Sequence, residues 1–305
     1  MKILVTGGAG FIGSHLVEHF QRQAEVRVLD NLRSGHPHNL NGLLCEFING
    51  SVLDRELVRQ AVQSVDYVFH LAAMVSVAES MSKPVECVEL NAIGTLIVLE
   101  EAACARVKKL VLSSSAAIYG NNPVTPKSEA MLPEPRSPYA ITKLDGEHYC
   151  KLFADEGWMP TACLRYFNVF GPRQDPRSQY AAAVPRFIEC ALKNEPITIF
   201  GDGEQTRDFI YVKDIVAANA FIATQSPATG VFNVAYGQRV MIKDLATTIC
   251  QLTGSRSEIH HAAERPGDIR HSLANVDKLR QAGFAPTNSF RDGLQQTIAS
   301  FQTGC

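Results

Sequence analysis

The chain begins MKILVTGGAGFIGSHL over residues 1–16, and this stretch decides the predicted fold. Its first six residues form a short apolar run typical of a buried strand, and the residues after Phe11 follow a helical pattern. Between them, Gly7, Gly10 and Gly13 allow a tight turn, close approach of the backbone to a pyrophosphate, and close packing of the helix on the sheet. The helix N-terminus offers free N–H groups and the positive end of its dipole to phosphates. The stretch therefore predicts a nucleotide-binding strand–turn–helix unit.

A second apolar strand, residues 26–29, ends in Asp30 and Asn31. A carboxylate at this place can accept hydrogen bonds from both hydroxyls of an adenosine ribose and repels a 2′-phosphate, which favours NAD over NADP. Arg33 argues mildly the other way, because an arginine can hold a 2′-phosphate. The alternative for Asp30 and Asn31 is an ordinary turn after a strand.

Strand and helix patterns alternate along the first half of the chain. This alternation predicts an α/β fold with a doubly wound, mostly parallel sheet. After residue 166 the pattern loosens, and the crevice beyond the carboxyl ends of the strands is the expected binding site. The predicted strands are 2–6, 25–30, 45–48, 67–71, 108–113, 161–166, 197–200, 209–212 and 231–234, and the predicted helices are 11–23, 54–63, 82–105, 138–156, 181–194, 213–225, 242–253 and 289–302.

The composition narrows the possible partners. The 305 residues carry 29 basic and 31 acidic side chains with no basic run, which gives no support for a nucleic-acid partner. No apolar stretch reaches membrane-spanning length, and the chain starts with a strand pattern instead of a signal peptide. The 8 cysteines form no C-x-x-C pair, and the histidine pairs lack partners at metal spacing. We therefore expect a soluble cytoplasmic protein that binds no metal and no membrane.

Tyr139 and Lys143 lie four residues apart, so a helix would place them on the same face. A lysine beside a phenol stabilises the phenolate and makes tyrosine a usable base near neutral pH. The helix has a clear start, since Ser137 suits the N-cap and Pro138 the first helical position. The serine run at residues 113–115 lies just upstream.

Several strings of residues fall in the order and spacing of one family: Gly7-x-x-Gly10-x-x-Gly13, His70-Leu71-Ala72-Ala73, Asn91, Ser113-Ser114-Ser115, Tyr139-x-x-x-Lys143 and RYFNVFGP at 165–172, followed by GDG at 201–203, TRDFIYV at 206–212 and RPGD at 265–268. The sequence resembles the extended short-chain dehydrogenase/reductases and, within them, the nucleotide-sugar 4-epimerases. The similarity spans nearly the whole chain. It implies a Rossmann-type NAD-binding domain over residues 1–168, onto which 208–235 packs back, and a smaller mixed α/β region that binds a UDP-sugar over 169–305.

The resemblance also implies which residues form the site. It implies firmly held NAD, contacted by Gly7, Gly10, Phe11, Ile12, Gly13, Asp30, Asn31, Ser51, Val52, Leu71, Ala72, Ala73, Asn91, Ser113, Tyr139, Lys143 and Tyr166. It implies a UDP-sugar contacted by Ser115, Asn168, Arg207, Arg265, Asp268 and Ser272. One position departs from the family, whose members often carry an aspartate after the third strand where this chain has Ser51. Ser51 therefore forms a weaker hydrogen bond to the adenine, or that contact is missing.

The catalytic residues implied are Ser115, Tyr139 and Lys143. Tyr139 takes the proton of the sugar 4-hydroxyl, Lys143 lowers the pKa of the tyrosine, Ser115 hydrogen-bonds the reacting oxygen, and NAD takes up and returns a hydride at C4. Dehydratases and decarboxylases of the family carry a carboxylate at the strand end, whereas the segment 114–120 has none. This difference favours an epimerase.

Ser272 aligns with a family position beside the sugar, where a small residue admits N-acetyl groups. We therefore expect interconversion of UDP-GlcNAc and UDP-GalNAc, with UDP-Glc and UDP-Gal as a further pair. The alternatives are a UDP-glucuronate 4-epimerase, in which Arg173 or Arg186 pairs with the C6 carboxylate, an NAD(P)-dependent nucleotide-sugar reductase, and a non-catalytic NAD-binding relative. Apolar residues on several faces of the helices at 82–105 and 138–156 predict a homodimer, which family members commonly form through these helices.

Overall fold

The computed structural model describes residues 1–176, 182–264 and 269–303. In chain order, the strands are β1 Lys2–Thr6, β2 Glu25–Asp30, β3 Glu46–Asn49, β4 Tyr67–His70, β5 Lys109–Ser115, β6 Thr161–Tyr166, β7 Val169–Phe170, β8 Ile197–Phe200, β9 Thr206–Arg207, β10 Ile210–Tyr211, β11 Gly230–Val234, β12 Val240–Met241 and β13 Ile259–Ala262. The helices are α1 Phe11–Phe20, α2 Arg55–Ala61, α3 Val77–Ser82, α4 Pro84–Val88, α5 Gly94–Cys104, α6 Pro138–Asp155, α7 Ala183–Lys193, α8 Val212–Thr224, α9 Ile242–Thr253, α10 Asp277–Gln281 and α11 Phe290–Thr303.

Seven parallel strands form one sheet in the order β3-β2-β1-β4-β5-β6-β11. The chain runs outward from β1 to β3, returns to β4 on the other side of β1, and then runs outward again to β6. This reversal between β1 and β4 is the switch point at which doubly wound sheets bind ligands. The predicted α/β fold with a doubly wound parallel sheet is confirmed, and the six strands predicted for the first half agree with the structure to within two residues.

Helices cover both faces of the sheet because successive strand residues point to opposite sides. Ile3 and Val5 of β1 join a buried cluster with α1 and α8, whereas Leu4 joins a second cluster with α2, α5 and α6. The side chains of β1 are thus buried in both directions, which explains the continuous apolar run at the start of the chain.

The single helix predicted for 82–105 is wrong in detail. α3 ends at Ser82, and Lys83 leaves the helical region with φ −132° and ψ 61°. Pro84 then starts α4, where its missing N–H costs no intrahelical bond. A turn of π-helix at Glu89–Ile93 connects α4 to α5. The apolar residues continue through the break, so their pattern does not reveal it.

The remaining elements lie around a third apolar cluster, to which α7, α9 and α11 contribute. β8 pairs with β13, β10 with β7 and β12 with β9. β13 was not predicted, because its residues are mostly exposed and show no alternation of apolar and polar side chains. β11 is the edge strand of the large sheet, and α8 packs against one face of this sheet. The division of the chain into two domains stays a prediction. No helix in the described residues is long and apolar enough to cross a bilayer.

A buried ion pair fixes α6 to the sheet. Arg165 of β6 donates to Glu147 of α6 through Nε at 2.9 Å and Nη2 at 2.7 Å, and both side chains are only 4% exposed. Ser114 of β5 donates to the same carboxylate at 2.5 Å. Burial alone would lower the pKa of Arg165, but the hydrogen bonds and charge of Glu147, with the contact to Tyr119, outweigh it and raise the pKa.

Glu147→Gln should lower the free energy of unfolding by about 3–5 kcal/mol, because it leaves the buried Arg165 without a counter-charge. Asp155→Asn is the matched control, since Asp155 pairs with Lys151 on the exposed face of the same helix and such pairs contribute at most about 1 kcal/mol. Denaturant unfolding in saturating NAD measures both variants. Equal losses in the two would show that the buried pair contributes no more than the surface pair.

Candidate active site

A cavity of about 780 Å³ lies at the carboxyl ends of β1, β2, β4, β5 and β6. Its volume falls in the range of small-molecule sites, and its position is the one expected for a doubly wound sheet. Eighteen of the predicted site residues line it: Gly7, Gly10, Phe11, Ile12, Gly13, Asp30, Asn31, Val52, Leu71, Ala72, Ala73, Ser113, Ser115, Tyr139, Tyr166, Asn168, Arg207 and Ser272.

The glycine turn after β1 brings backbone atoms unusually close together. Gly7 has φ +71°, and a Cβ on it would lie 2.8 Å from the backbone nitrogen of Ala72. A Cβ on Gly13 would lie 2.2 Å from the Gly7 carbonyl oxygen. Gly10 is the N-cap of α1 and contributes no side-chain hydrogen bond there. The start of the helix therefore faces the cavity without a side chain covering it.

Asp30 presents a fixed carboxylate at the end of β2. Its Oδ2 accepts from the Ala9 N–H at 2.9 Å, and its Oδ1 accepts from the Leu32 N–H at 2.8 Å. The residue is 7% exposed and lines the cavity. These two backbone bonds hold the carboxylate at the edge of the glycine turn, where it can accept further hydrogen bonds from a ligand.

A buried hydrogen-bond chain fixes the backbone at the ends of β1 and β4. The Thr6 hydroxyl lies 2.7 Å from His70 Nδ1 and accepts from the N–H groups of Leu71 and Ala72 at 3.2 and 3.3 Å. His70 Nε2 lies 2.9 Å from the Thr95 hydroxyl. Burial, with the nearby charge of Lys143, lowers the pKa of His70 to about 3. The histidine is therefore a neutral structural link, and its place next to the cavity does not make it an acid or base at neutral pH.

Ser115 and Tyr139 line the cavity, and Lys143 lies behind them. Ser137 accepts from the Ala140 N–H at 3.2 Å and Pro138 starts the helix, which confirms the predicted beginning of α6. Lys143 Nζ donates to the Ser113 carbonyl at 2.7 Å and lies 5.9 Å from the centre of the Tyr139 ring. One helical turn therefore joins the phenol to the ammonium, as the spacing predicts.

Burial sets the protonation of this pair. It raises the pKa of Tyr139, and a hydrogen bond with Ser115 opposes the rise. It lowers the pKa of Lys143 to about 8, so the ammonium is largely charged at pH 7. Burial thus favours the neutral phenol of Tyr139, and a positive charge bound in the cavity would lower the pKa of this side chain.

Some predicted residues do not line the cavity. Asn91 accepts from the Met74 N–H at 2.7 Å and donates to the Met74 carbonyl at 3.1 Å, so it holds the chain after β4 from behind. Ser51 accepts from the Leu53 N–H at 3.2 Å, although its neighbours Gly50 and Val52 reach the cavity. The predicted contacts Arg265 and Asp268 lie outside the described residues.

The cavity is also lined by residues that the sequence did not single out, among them Ser34, Gly35, Asn39, Tyr119, Lys127 and Gln174. Asn39 donates to the Ala9 carbonyl at 2.9 Å and so ties the loop after β2 to the glycine turn. Lys127 is 3% exposed, and its ammonium donates to the Asn122 carbonyl. A lysine in a loop rich in proline gives no periodic signal, so only the fold reveals its place. Within residues 1–176, 182–264 and 269–303, no cluster of His, Cys, Asp and Glu is placed to hold a metal ion.

Residues 3–235 match the model of a family described as the NAD dependent epimerase/dehydratase family. The chain belongs to this family. A putative UDP-glucose 4-epimerase of Methanocaldococcus jannaschii is 35% identical over 299 residues, which cover 97% of each chain. Two solved structures are similar to this chain over its whole length. A UDP-N-acetylglucosamine 4-epimerase from Methanobrevibacter ruminantium, in complex with UDP-N-acetylmuramic acid, matches with TM-score 0.96 and 40% identity, covering 100% of this chain and 99% of that one. A UDP-glucose 4-epimerase from Thermotoga maritima with UDP-glucose gives TM-score 0.95 and 40% identity over the same shares.

NAD is the cofactor of this family, and the residues of the cavity fit it. The glycine turn and the uncovered start of α1 suit a pyrophosphate, and the carboxylate of Asp30 suits the adenosine ribose hydroxyls. Leu71 and Ala72, whose backbone is fixed by Thr6, offer an apolar wall beside Tyr139.

Gly13→Ala should remove most of the NAD that purifies with the protein, because the added Cβ meets the fixed carbonyl of Gly7 and pushes α1 away from the turn. Gly146→Ala is the matched control, since its only close contact would be the end of the Leu112 side chain at 2.9 Å, which can move, and Thr95 lies at an ordinary 3.7 Å. Chromatography of the nucleotide released from heat-denatured protein measures both. Full NAD content in Gly13→Ala would contradict the packing argument.

Proposed function

We propose that the protein is an NAD-dependent UDP-sugar 4-epimerase whose main reaction interconverts UDP-GlcNAc and UDP-GalNAc, with UDP-Glc and UDP-Gal as a further pair. The observation that carries the proposal is that Ser115 and Tyr139 line the same cavity as the glycine turn, while Lys143 lies behind them. The proposal is supported by relatives that match nearly the whole chain and are described as UDP-sugar 4-epimerases.

The chemistry at C4 divides between the cofactor and the side chains. NAD supplies the acceptor and donor of the C4 hydride. Tyr139 Oη takes the proton of the 4-hydroxyl and later returns it. Ser115 can hold the reacting oxygen, because its Oγ is fixed by the Ala117 N–H at 3.1 Å and shares a hydrogen bond with Tyr139 at the wall of the cavity. The charged Lys143 favours the phenolate form of Tyr139.

An elimination or a decarboxylation is less well supported. The segment 114–120 carries no carboxylate. It contains Ser115, Tyr119 and Gly120, which line the cavity. A general acid or base for expelling a C6 hydroxyl would have to come from elsewhere. The predicted NAD(P)-dependent reductase is also less well supported, since Asp30 disfavours the exchangeable NADPH that such an enzyme uses.

The nucleotide half of the substrate has its predicted contacts in the second part of the chain. Arg207 lines the cavity, and its Nη1 donates to the Ile269 carbonyl at 2.6 Å, which fixes the guanidinium. Asn168 also lines the cavity and donates to the Asp208 carbonyl at 3.2 Å. A rigid cation suits a diphosphate, and firm contacts to the nucleotide leave the keto sugar free to turn over between the two hydride transfers.

The small side chain of Ser272 supports the acetylated substrates. Its N–H donates to the Thr206 carbonyl at 3.1 Å, so a bridge to β9 fixes the backbone from which the side chain enters the cavity. A serine leaves room beside the sugar that a large aromatic residue would fill.

A UDP-glucuronate 4-epimerase is the second candidate, and Lys127 is the observation that favours it. The arginines first considered for the C6 carboxylate fit poorly, because Arg173 donates to Glu18 at 2.6 Å and Arg186 does not line the cavity. Lys127 is buried at the wall of the cavity, and its ammonium has N–H groups beyond the one used by Asn122. A sugar carboxylate would be a suitable partner.

Incubation of the purified protein with UDP-GlcNAc, UDP-Glc or UDP-GlcA, without added cofactor, tests the proposal. Proton NMR of the anomeric signals should show new galacto-configured products from the first two sugars and none from Tyr139→Phe. The control variant Tyr149→Phe removes a hydroxyl from the same helix, away from the cavity. Turnover of UDP-GlcA alone would favour the second candidate, and no turnover of any sugar, with NAD added, would refute both.

Ser272→Tyr should lower kcat/KM for UDP-GlcNAc by at least about 100-fold and leave that for UDP-Glc within a few-fold, because the larger ring takes the space of the acetamido group. Ser272→Ala is the matched control and should change neither ratio, since it keeps the space. Equal losses for both sugars in Ser272→Tyr would show that the position does not select by size.

We also propose a homodimer in a reducing, cytoplasmic setting. Apolar side chains of α4 to α6 are 43–69% exposed, namely Val85, Val88, Ile93, Ile141 and Leu152. Such a patch on neighbouring helices suits a second copy of the chain. The cysteines within the described residues are free thiols, which supports a reducing compartment.

Val85→Glu should convert the dimer into monomers, because it places a charge in the centre of a buried apolar contact. Sedimentation velocity measures the change against Lys108→Glu, a charge change on an exposed side chain outside these helices. A wild-type protein that sediments as a monomer would contradict the proposal.

A further inference from the structure

Arg33 lies where an arginine could bind the 2′-phosphate of NADP. It lines the cavity three residues after Asp30. Leu32 has φ +58°, and the loop turns there because Asp30 Oδ1 accepts from the Leu32 N–H and Asn31 Oδ1 accepts from the Arg33 N–H at 3.1 Å. The turn keeps Arg33 beside the carboxylate that suits the adenosine ribose. An arginine in this neighbourhood is a common means of accommodating a 2′-phosphate.

Two carboxylates already occupy the Arg33 guanidinium. Its Nη2 donates to Glu79 at 2.8 Å and to Glu86 at 2.7 Å, and its Nε donates to Glu86 at 3.2 Å. Burial alone would lower the pKa of Arg33, but the hydrogen bonds to Glu86 and Glu79 outweigh it and raise the pKa. The guanidinium therefore has most of its donors engaged and its charge compensated.

The break between α3 and α4 makes this double contact possible. Glu79 lies on α3 and Glu86 on α4, and the chain leaves the helical path at Lys83 between them. Lys83 Nζ lies 3.6 Å from Glu79 and 3.5 Å from Glu86, so it braces the two acids from their own segment. The two carboxylates are thus held side by side on the helices that face the loop, in position to bind Arg33.

We propose that Glu79 and Glu86 are cofactor-selectivity residues that sequester Arg33 and so exclude NADP. A 2′-phosphate could bind Arg33 only by displacing two charge-assisted hydrogen bonds, and it would meet the carboxylates of Asp30, Glu79 and Glu86 as like charges. Selectivity for NAD then has two parts, the repulsion by Asp30 and the occupation of the nearby arginine. The inference goes beyond the proposed function and holds whichever UDP-sugar is the substrate.

The test is the ratio of NADP to NAD bound by the double variant Glu79→Gln/Glu86→Gln. Purified protein is equilibrated with both nucleotides at equal concentrations until the bound ratio is constant, and the nucleotides released on denaturation are separated by chromatography. We expect the ratio to rise at least about tenfold over wild type, since one charge-assisted hydrogen bond to Arg33 is worth that factor. An unchanged ratio in the folded double variant would overturn the proposal.

The triple variant Arg33→Met/Glu79→Gln/Glu86→Gln separates sequestration from the general loss of negative charge. If Arg33 is the group released, the triple variant should return close to the wild-type ratio. If the triple variant binds as much NADP as the double variant, the acids act through their field alone and the proposal is wrong. Each single variant, Glu79→Gln and Glu86→Gln, leaves one partner on Arg33 and should give a smaller rise, which keeps the test available if the double variant does not fold.

Discussion

The carboxylate of Glu147 is the constraint on which the geometry of the site depends. It joins α6 to Ser114 of β5 and to Arg165 of β6 inside the protein, where burial strengthens the hydrogen bonds. Tyr139, Lys143 and Glu147 follow at four-residue spacing, so the same face of the helix carries the phenol, the ammonium and the buried anchor. Lys143 adds a second attachment at the Ser113 carbonyl. The helix is thus fixed to β5 at two neighbouring residues of the serine run, Ser113 and Ser114, so the distance from phenol to serine is set by the interior of the protein.

Much of the fold could be predicted because its signals are local. Short apolar runs that alternate with helical patterns located the strands of the large sheet. The glycines located the turn after β1, and Ser137 with Pro138 located the start of α6. The break at Pro84 was missed because the apolar residues on both sides continue one pattern. The strands β7, β9 and β12 are each two residues long, which is too short to show any periodicity. β10 lies within the strand predicted at 209–212, but its pairing with β7 depends on a contact far apart in the sequence.

The two halves of the proposed site also differ in how far local sequence signals predict them. The NAD half lies on strand ends and one glycine turn, so a few short strings specify it, and Asp30 could be given a role from its place after β2. The wall that we propose to lie near the sugar is assembled from distant segments of the chain that contain Lys127, Asn168, Arg207 and Ser272. Which of these side chains reach one cavity depends on the packing of loops, and the identity of the sugar depends on those loops. Asn91 and Lys143 also show that a residue typical of a site can act from behind it.

The raised pKa of Tyr139 has a consequence for the protein before it acquires its cofactor. Its phenol is neutral, His70 is neutral, and the carboxylates of Glu147 and Asp30 are held by hydrogen-bond donors. None of these four side chains is therefore a strong base available to a sugar that enters the cavity before NAD is bound. In the mechanism that we propose, Tyr139 becomes a usable base once the positive charge of NAD lies in the cavity, so the cofactor controls the acid–base chemistry as well as taking part in it.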